Sequence, residues 1–502
     1  MKRVLKLAVS IFATAIIVSC GSPSVPAKYE KTDKSVAIYP DYTNVTIPCN
    51  IAPLVFEIKE QGDDYVTRLS AADKTIVLRG ANVAPKLDEW RELLNSANGA
   101  DVNVEVFMKK GERWSAFKPF VFTVSPDSID TYISYRLIPP SYVAYEQLTI
   151  NQRNLTNFDE QVIYNNMLAA TENEGSCINC HAYKNYRTDN MQFHVRQKNG
   201  GTVFVHNGKA VKLNMTTDST LSAGVYPAFN PVYDIVAYSV NKTGQIFHTV
   251  KSNKVEVQDV ASDVIVYNPV SNTVTNVSNN PNDLEVFPWW SPDGRTLYYG
   301  SAHFEVKDTA NSVMKEEIIR HREIKYDILR RSWNPDTYAF GEVDTVFAAT
   351  KLGKSATFPR ISPDGRYLLF ALGEYGCFHV WHNDADLYLQ DLSSGEYWPL
   401  EEANSECAES YHSWSSNSRW ILFSSRRDDT NYTRLYIAHI DENGKASKAF
   451  VLPQETPDYY PLFDRSYNVP EFMLEAVKFT PQELADIVKS EAKKVEYSST
   501  GK

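Results

Sequence analysis

Cys177-Ile178-Asn179-Cys180-His181 is the stretch of the chain with the clearest chemistry. Two thiols separated by two residues and followed directly by an imidazole form the pattern that attaches haem covalently. The sulfurs of such a pair reach the two vinyl groups of one porphyrin, and the histidine becomes the proximal ligand of the iron. With 6 cysteines and 10 histidines in 502 residues, chance would produce roughly 0.001 such strings. The motif therefore predicts one covalently bound haem c.

Two other uses of the thiol pair have less support. A closed zinc site takes four ligands, and no second Cys-x-x-Cys or His-x₃₋₅-His pair lies nearby. A redox dithiol normally occurs in a βαβ thioredoxin setting, which the surrounding sequence does not offer. A dihaem peroxidase would need a second haem motif, and the chain has one.

The sixth ligand of the iron decides between electron transfer and open-site chemistry. Downstream of the motif, Met191 and His194 are both candidates, and in an extended segment they point to opposite faces. His194 shares its face with Arg196, whose guanidinium can meet a haem propionate. We therefore favour His194 as the distal ligand and keep Met191 as the alternative, ahead of His206 and His248.

The start of the chain predicts export. A positive region (Lys2, Arg3, Lys6) precedes a short apolar stretch, which is typical of a signal peptide spanning 1–19. The stretch ends Ile17-Val18-Ser19-Cys20-Gly21, which resembles a bacterial lipobox with Cys20 as the lipidated residue. An ordinary signal peptide with an incidental cysteine is the alternative. Gly21 at the second position implies, by resemblance, an outer-membrane lipoprotein facing the periplasm.

The charge and hydropathy of the chain restrict the kinds of partner that it can bind. The formal net charge of −11 argues against nucleic-acid binding. No later segment approaches 18 continuous apolar residues, so the lipid is the expected membrane anchor. Three cysteines remain after lipid and haem are assigned, and in an oxidising compartment a Cys377–Cys407 disulfide with Cys49 left over is plausible.

Residues 20–36 are small, polar and charged, as expected of a lipidated tether. Six short apolar or alternating segments within 37–126 predict a β-sandwich-like domain. One helical segment, Lys86 to Leu94, interrupts them. The domain carries no histidine and no cluster that indicates chemistry.

From residue 127 the chain is repetitive. Aromatic strands with a Pro or Ser-Pro signature recur, and two of them continue as Asp-Gly-Arg turns before a returning apolar strand. Hairpins of a second kind, best seen at Asp386 to Leu400, alternate with them. The five copies begin at Tyr226, Phe287, Phe358, Tyr411 and Tyr460.

Two alternating hairpins per period give four strands, the content of a propeller blade. The aromatic-x-Trp-Ser-Pro-Asp-Gly pattern resembles the WD-like β-propeller repeats of TolB. The resemblance covers about 200–470 and implies an all-β propeller over 127–475, with six blades favoured and seven open. A large sandwich would not explain the alternation. The haem segment, about 170–198, is expected in a blade-to-blade connection, as an insertion. A helix begins within 476–502, where Thr480 and Glu483 form a capping box.

Three functions follow from the motif and the fold. We expect a membrane-anchored electron carrier that uses the propeller to dock a redox or scaffold partner protein. A TolB-like interaction scaffold with a structural or sensing haem is the second possibility, and a haem enzyme with an open distal site is the third. An electron carrier or binding protein is favoured over an enzyme.

Overall fold

The computed structural model describes residues 23–140, 147–171, 174–247, 255–278 and 280–500. Cys20, the predicted signal peptide and His248 lie outside these ranges. Within them the protein is an all-β molecule with two parts, as the sequence predicts. A small two-sheet domain is followed by a β-propeller.

The first domain consists of one seven-stranded and one three-stranded sheet. Its elements are β1 (Glu30–Ser35), β2 (Ile38–Tyr39), β3 (Thr46–Pro48), β4 (Phe56–Ile58), β5 (Asp64–Ala71), β6 (Lys74–Arg79), β7 (Asn82–Val83), α1 (Leu87–Ser96), β8 (Asp101–Lys110), β9 (Arg113–Lys118) and β10 (Phe120–Ser125). Trp90 of α1 is fully buried and donates a hydrogen bond to the carbonyl of Ile51 at 3.0 Å.

The predicted tether is wrong in its second half. β1 pairs with β9 in parallel, so the first domain begins before residue 37. Every residue of β1 is exposed, and a strand at the edge of a sheet with two solvated faces shows no hydrophobic alternation. The segment therefore looks like a linker in the sequence although it forms a strand.

The propeller is built from successive antiparallel sheets of four core strands. In chain order the strands are β11 (Tyr132–Ile138), β12 (Thr149–Asn154), β13 (Glu160–Asn165); β14 (Cys177–Lys184), β15 (Arg187–Arg196), β16 (Gly201–His206), β17 (Lys209–Asn214); β18 (Val225–Phe229), β19 (Val236–Phe247), β20 (Val255–Asn268), β21 (Thr273–Asn276); β22 (Asp283–Trp290), β23 (Thr296–His303), β24 (Asp327–Trp333), β25 (Phe340–Phe347); β26 (Ser355–Ile361), β27 (Tyr367–Gly373), β28 (Asp386–Asp391), β29 (Tyr397–Pro399); β30 (Glu409–Trp414), β31 (Trp420–Ser425), β32 (Arg434–His439) and β33 (Phe450–Val451). Six sheets of this kind are present among the described residues.

The first sheet is completed from the other end of the chain. β34 (Ser466–Met473) pairs with β11, so its order is β13-β12-β11-β34. This pairing joins the two ends of the propeller in one sheet and covers the inner edge of β11. The stretch at Tyr460, predicted as the last strand repeat, is instead the short helix α3 (Tyr459–Leu462), and the inner strand lies a few residues later.

The C-terminal segment packs on the outside of the propeller. α4 (Pro481–Lys489) begins at Thr480 with the predicted capping box to Glu483. The next residues form β35 (Lys493–Lys494) and β36 (Glu496–Tyr497), which extend the second and third sheets in parallel. One further helix, α2 (Val313–Arg320), joins β23 to β24.

Candidate functional site

The Cys-x-x-Cys-His motif lies on the first strand of the second sheet. Cys177 begins β14, and the strand pairs with β15 through Cys177–Arg196 and Asn179–His194. The prediction of a haem segment in a blade-to-blade connection, as an insertion, is therefore wrong. Ile178 is buried between Cys177 and Asn179, which is the alternation of an ordinary β-strand. The sequence analysis assigned the motif to haem attachment and did not recognise this strand pattern.

The motif includes an irregularity that all six sheets share. The inner strand of each sheet has a β-bulge at a non-glycine residue with a positive φ between 47° and 56°. These residues are Cys180, Tyr226, Phe287, Phe358, Tyr411 and Val469. Cys180-His181-Ala182-Tyr183 thus corresponds to Tyr226-Pro227-Ala228-Phe229, and this match in the sequence could have placed the motif on an inner strand.

Four of the bulge residues are aromatic, and the ring of each packs against the ring of the next, edge-to-face or tilted. Ring centroids are 4.7 Å apart for Tyr226 and Phe287, 4.0 Å for Phe287 and Phe358, and 4.8 Å for Phe358 and Tyr411. The other two positions hold the small side chains of Cys180 and Val469, on the adjacent second and first sheets.

A cavity of about 400 Å³ opens beside the motif, within the size range of small-molecule sites. Cys177, Asn179, His194 and Arg196, which form two neighbouring cross-strand pairs, face it together. The opposite wall includes Phe378, Val380 and Trp381. The cavity therefore combines an apolar wall with a thiol, an imidazole and a guanidinium.

Cys180 and His181 line a narrower space along the axis, and Tyr226 borders both this space and the larger cavity. Cys180 is buried, and burial raises the pKa of its thiol. Burial, with the nearby charge of Arg136, lowers the pKa of His181 to about 3. The imidazole is therefore neutral, the protonation state in which histidine binds a metal.

Neither ring nitrogen of His181 makes a hydrogen bond of ordinary geometry, although the backbone of Ser134 and Val469 lies close. His412 occupies the equivalent position in the sixth sheet, and its Nε2 donates to the carbonyls of Phe358 at 2.7 Å and Leu369 at 3.2 Å. A buried polar group without a partner costs about 1–3 kcal/mol. His181 thus stands out as a buried imidazole with no hydrogen bond of ordinary geometry at either ring nitrogen.

The two candidate distal ligands lie on opposite faces of β15, as expected from their spacing. His194 lines the cavity, and its Nδ1 is 3.1 Å from the hydroxyl of Thr202. Met191 is buried in the apolar core between the second sheet and its neighbours. Of the two, only His194 faces the cavity.

The other residues singled out in the sequence, His206 and Cys49, do not line the cavity. His206 stacks on Phe204 at 6.2 Å, on the outer part of the second sheet. Cys49 is free, with its Sγ 3.6 Å from the carbonyl of Pro126. Across the described chain, no group of three or more His, Cys, Asp or Glu side chains is arranged to hold a metal ion by itself.

The predicted Cys377–Cys407 disulfide does not form; both residues are free thiols. The segment after β27 turns toward the third sheet, which puts Cys377 Sγ 3.8 Å from a carboxylate oxygen of Asp259 on β20. Burial raises the pKa of the Cys377 thiol well above its usual value. Cys407 instead follows Ser405, whose hydroxyl accepts its backbone N–H.

Comparison with known proteins gives no family. No family model matches the chain, and no curated relative does. Among solved structures, a puromycin-hydrolysing peptidase of Mycobacterium tuberculosis aligns with 63% of this chain and 45% of its own, at 11% identity and a TM-score of 0.35. The tricorn protease aligns over 80% and 36%, at 10% identity and a TM-score of 0.36.

Prolyl oligopeptidase B of Galerina marginata aligns over 64% of this chain and 45% of its own, at 10% identity and a TM-score of 0.37. The chain spans less than half the length of each of these three proteins. Similarity at this level assigns no activity to the chain.

Proposed function

We propose that the protein is a lipid-anchored c-type haem protein of the periplasm that passes electrons to or from a partner protein. One haem would be joined to Cys177 and Cys180, with His181 as the proximal ligand. The observation that carries the proposal is the buried, neutral His181, whose ring nitrogens make no hydrogen bond of ordinary geometry and which directly follows the second thiol. When bound, haem supplies a reversible one-electron couple at its iron.

The chain offers the groups that such a cofactor needs. The two thiols and His181 are the attachment set, His194 faces the cavity as the favoured distal ligand, and Arg196 is a cation for a propionate. Cys177 and Cys180 border different spaces, with Tyr226 lining both. The two spaces are separate in this structure, so a porphyrin joined to both thiols would require the residues around Tyr226 to rearrange.

The anchor and the location belong to the same proposal. Haem is attached outside the bacterial cytoplasm, so a lipobox at Cys20 and a Cys-x-x-Cys-His motif in one chain support each other. In the described part of the chain no helix has the length and apolar character needed to cross a membrane. We propose the outer membrane, with the propeller facing the periplasm and belonging to the TolB-like group.

A second candidate is a TolB-like interaction scaffold, and one observation favours it. Cys180 and His181 occupy the bulge position and the following position of their strand. In the other five sheets these two positions hold an aromatic residue or Val469 followed by proline, or Tyr411 followed by His412. In this alternative the motif is a variant of the repeat, and any haem is structural or sensing.

The test is covalent haem content in protein matured with the periplasmic haem-attachment machinery. The proposal expects one haem by mass of the intact chain, surviving denaturation. Cys177→Ser and Cys180→Ser should each leave at most one thioether, and the double variant none. Cys377→Ser is the matched control, because that thiol is buried outside the motif, and it should keep the haem. A wild-type chain without covalent haem would reject the proposal.

A further inference from the structure

One wall of the large cavity is the outer half of a single hairpin. β19 and β20, with 12 and 14 residues, are the longest strands of the described propeller. Their pairing with β18 and β21 stops at Ser239 and Ile265, and residues 241–247 and 255–261 continue beyond it as a hairpin extension. Among the described residues no third strand pairs with this extension. Five of its side chains line the cavity: Asn241, Thr243, Gln245, Val255 and Val257.

The other face of the hairpin extension is held by a buried polar group. Glu256 is 3% exposed and points away from the cavity, because it alternates with its two neighbours along the strand. Its carboxylate accepts hydrogen bonds from Nε2 of His382 at 2.9 Å and from the hydroxyl of Tyr375 at 2.7 Å, both in the segment that follows β27. Burial alone would raise the pKa of Glu256, but the hydrogen bond from His382 brings it below its usual value. The carboxylate is therefore charged at neutral pH.

A polar contact of this kind differs from an apolar one in what its release costs. Apolar side chains that separate lose the whole free energy of their burial. A carboxylate, an imidazole and a phenol that separate each regain hydrogen bonds to water, so the net cost is much smaller. A buried charged contact is accordingly weak evidence for stability, and a switching role is among its attested uses.

We propose that Glu256, His382 and Tyr375 form a latch that holds the hairpin extension as a movable wall of the cavity. With the latch closed, the extension restricts access to the cavity side chains, including Cys177. With the latch broken, the extension moves outward while the strand pairing below Ser239 and Ile265 stays intact, and larger ligands can enter. This assignment concerns access to the cavity and holds whichever ligand enters it.

The thiol of Cys177 reports on access, because it lines the cavity. The full chain, produced without the haem-attachment machinery, is labelled with N-ethylmaleimide, which is small, or with fluorescein maleimide, which is bulky. Peptide mass spectrometry gives the rate at each cysteine. Glu256→Ala should raise the Cys177 rate with the bulky reagent at least about tenfold, and Tyr375→Phe, which removes one hydrogen bond and keeps the ring, about threefold. The small reagent should respond much less.

Two controls separate the latch from a general loosening of the fold. Cys49 is the internal reference thiol, because it belongs to the first domain and does not line the cavity. Glu409→Ala is the matched variant, because Glu409 is also a buried carboxylate, paired with Arg427 at 3.1 Å, and lies outside the cavity lining. It should leave the ratio of the Cys177 rate to the Cys49 rate unchanged.

Each outcome decides the assignment. A bulky-reagent rate at Cys177 that rises in Glu256→Ala and Tyr375→Phe, with Cys49 unchanged, establishes the latch. Equal Cys177 rates in wild type and both variants overturn it, and so does an equal rise in Glu409→Ala. If Glu256→Ala does not fold, Tyr375→Phe decides by the same comparison. A mature wild-type chain without covalent haem would reject the proposed function and leave the latch in place.

Discussion

His194 and Met191 lie on opposite faces of β15, because successive side chains of a strand alternate between its two faces. His194 faces the cavity with one ring nitrogen next to Thr202, and burial together with Arg196 lowers the pKa of His194 to about 3. Met191 is 1% exposed and packs in the core. Sequence spacing predicted the opposite faces of these two residues, but only the fold shows which face is the cavity.

Replacing these two residues should therefore give different phenotypes. In haem-loaded protein, His194→Ala should shift the ferrous spectrum from low to high spin and speed carbon monoxide binding, because the distal ligand is lost. Met191→Ala should leave the spectrum unchanged and lower the free energy of unfolding by about 2–5 kcal/mol. Optical spectra and urea unfolding of both variants check this. A spectral change confined to Met191→Ala would move the ligand to the thioether.

Strands without a local sequence signature were the hardest elements to predict. The Pro-Asp-Gly turns and the capping box at Thr480 have local signatures, and the corresponding hairpins and helix are present. β1 and the inner strand β34 have none that we recognised, because β1 is exposed throughout and β34 lacks an aromatic residue at its bulge. The cavity also depends on long-range closure, so its lining cannot be derived from local patterns.

Helix α2 exposes apolar side chains and buries a charged one. Ile318 and Ile319 are 43% and 60% exposed, whereas Glu317 is fully buried and neither of its carboxylate oxygens has a partner among the described residues. Burial, with a smaller contribution from Asp259, raises the pKa of Glu317 from 4.5 to about 8. The folded state therefore holds the proton more tightly than the unfolded chain does.

This predicts a pH dependence of stability that one substitution removes. The contribution of Glu317 is fully present below about pH 4.5 and is lost as the pH rises toward 8. Glu317→Gln should match wild type in free energy of unfolding at pH 4.5 and exceed it at pH 8. Urea unfolding across this range measures the difference. Glu342→Gln, at an exposed carboxylate of β25 that makes no ion pair with a described residue, serves as control. Parallel pH profiles for wild type and Glu317→Gln would refute the prediction.

The whole molecule depends on closure of the first sheet by β34. A chain ending at Asp464 lacks the inner strand that pairs with β11 and also the Asn468 side chain that holds Arg136. It should lose cooperative thermal unfolding, because β11 loses its inner partner strand and the ring of sheets is no longer closed. A chain ending at Ser490 lacks only β35 and β36 and should unfold cooperatively. Circular-dichroism melting distinguishes the two, and equal transitions would show that closure is dispensable.

Anchoring is a second property of the whole molecule. Cys20→Ser should release the protein into the soluble periplasmic fraction with its melting curve unchanged, because the lipid is the expected anchor. Fractionation of cells carrying the wild type and the variant measures this. Retention of the variant in the membrane would require an anchor other than Cys20.

The central claim is that Cys177, Cys180 and His181 hold a covalent haem, and the alkaline pyridine spectrum of the purified mature protein tests it most directly. The account predicts a c-type α band that remains with the polypeptide after acid–acetone extraction, at one haem per chain. Protein matured with the attachment machinery that shows no such band, and contains zinc without iron, would contradict it.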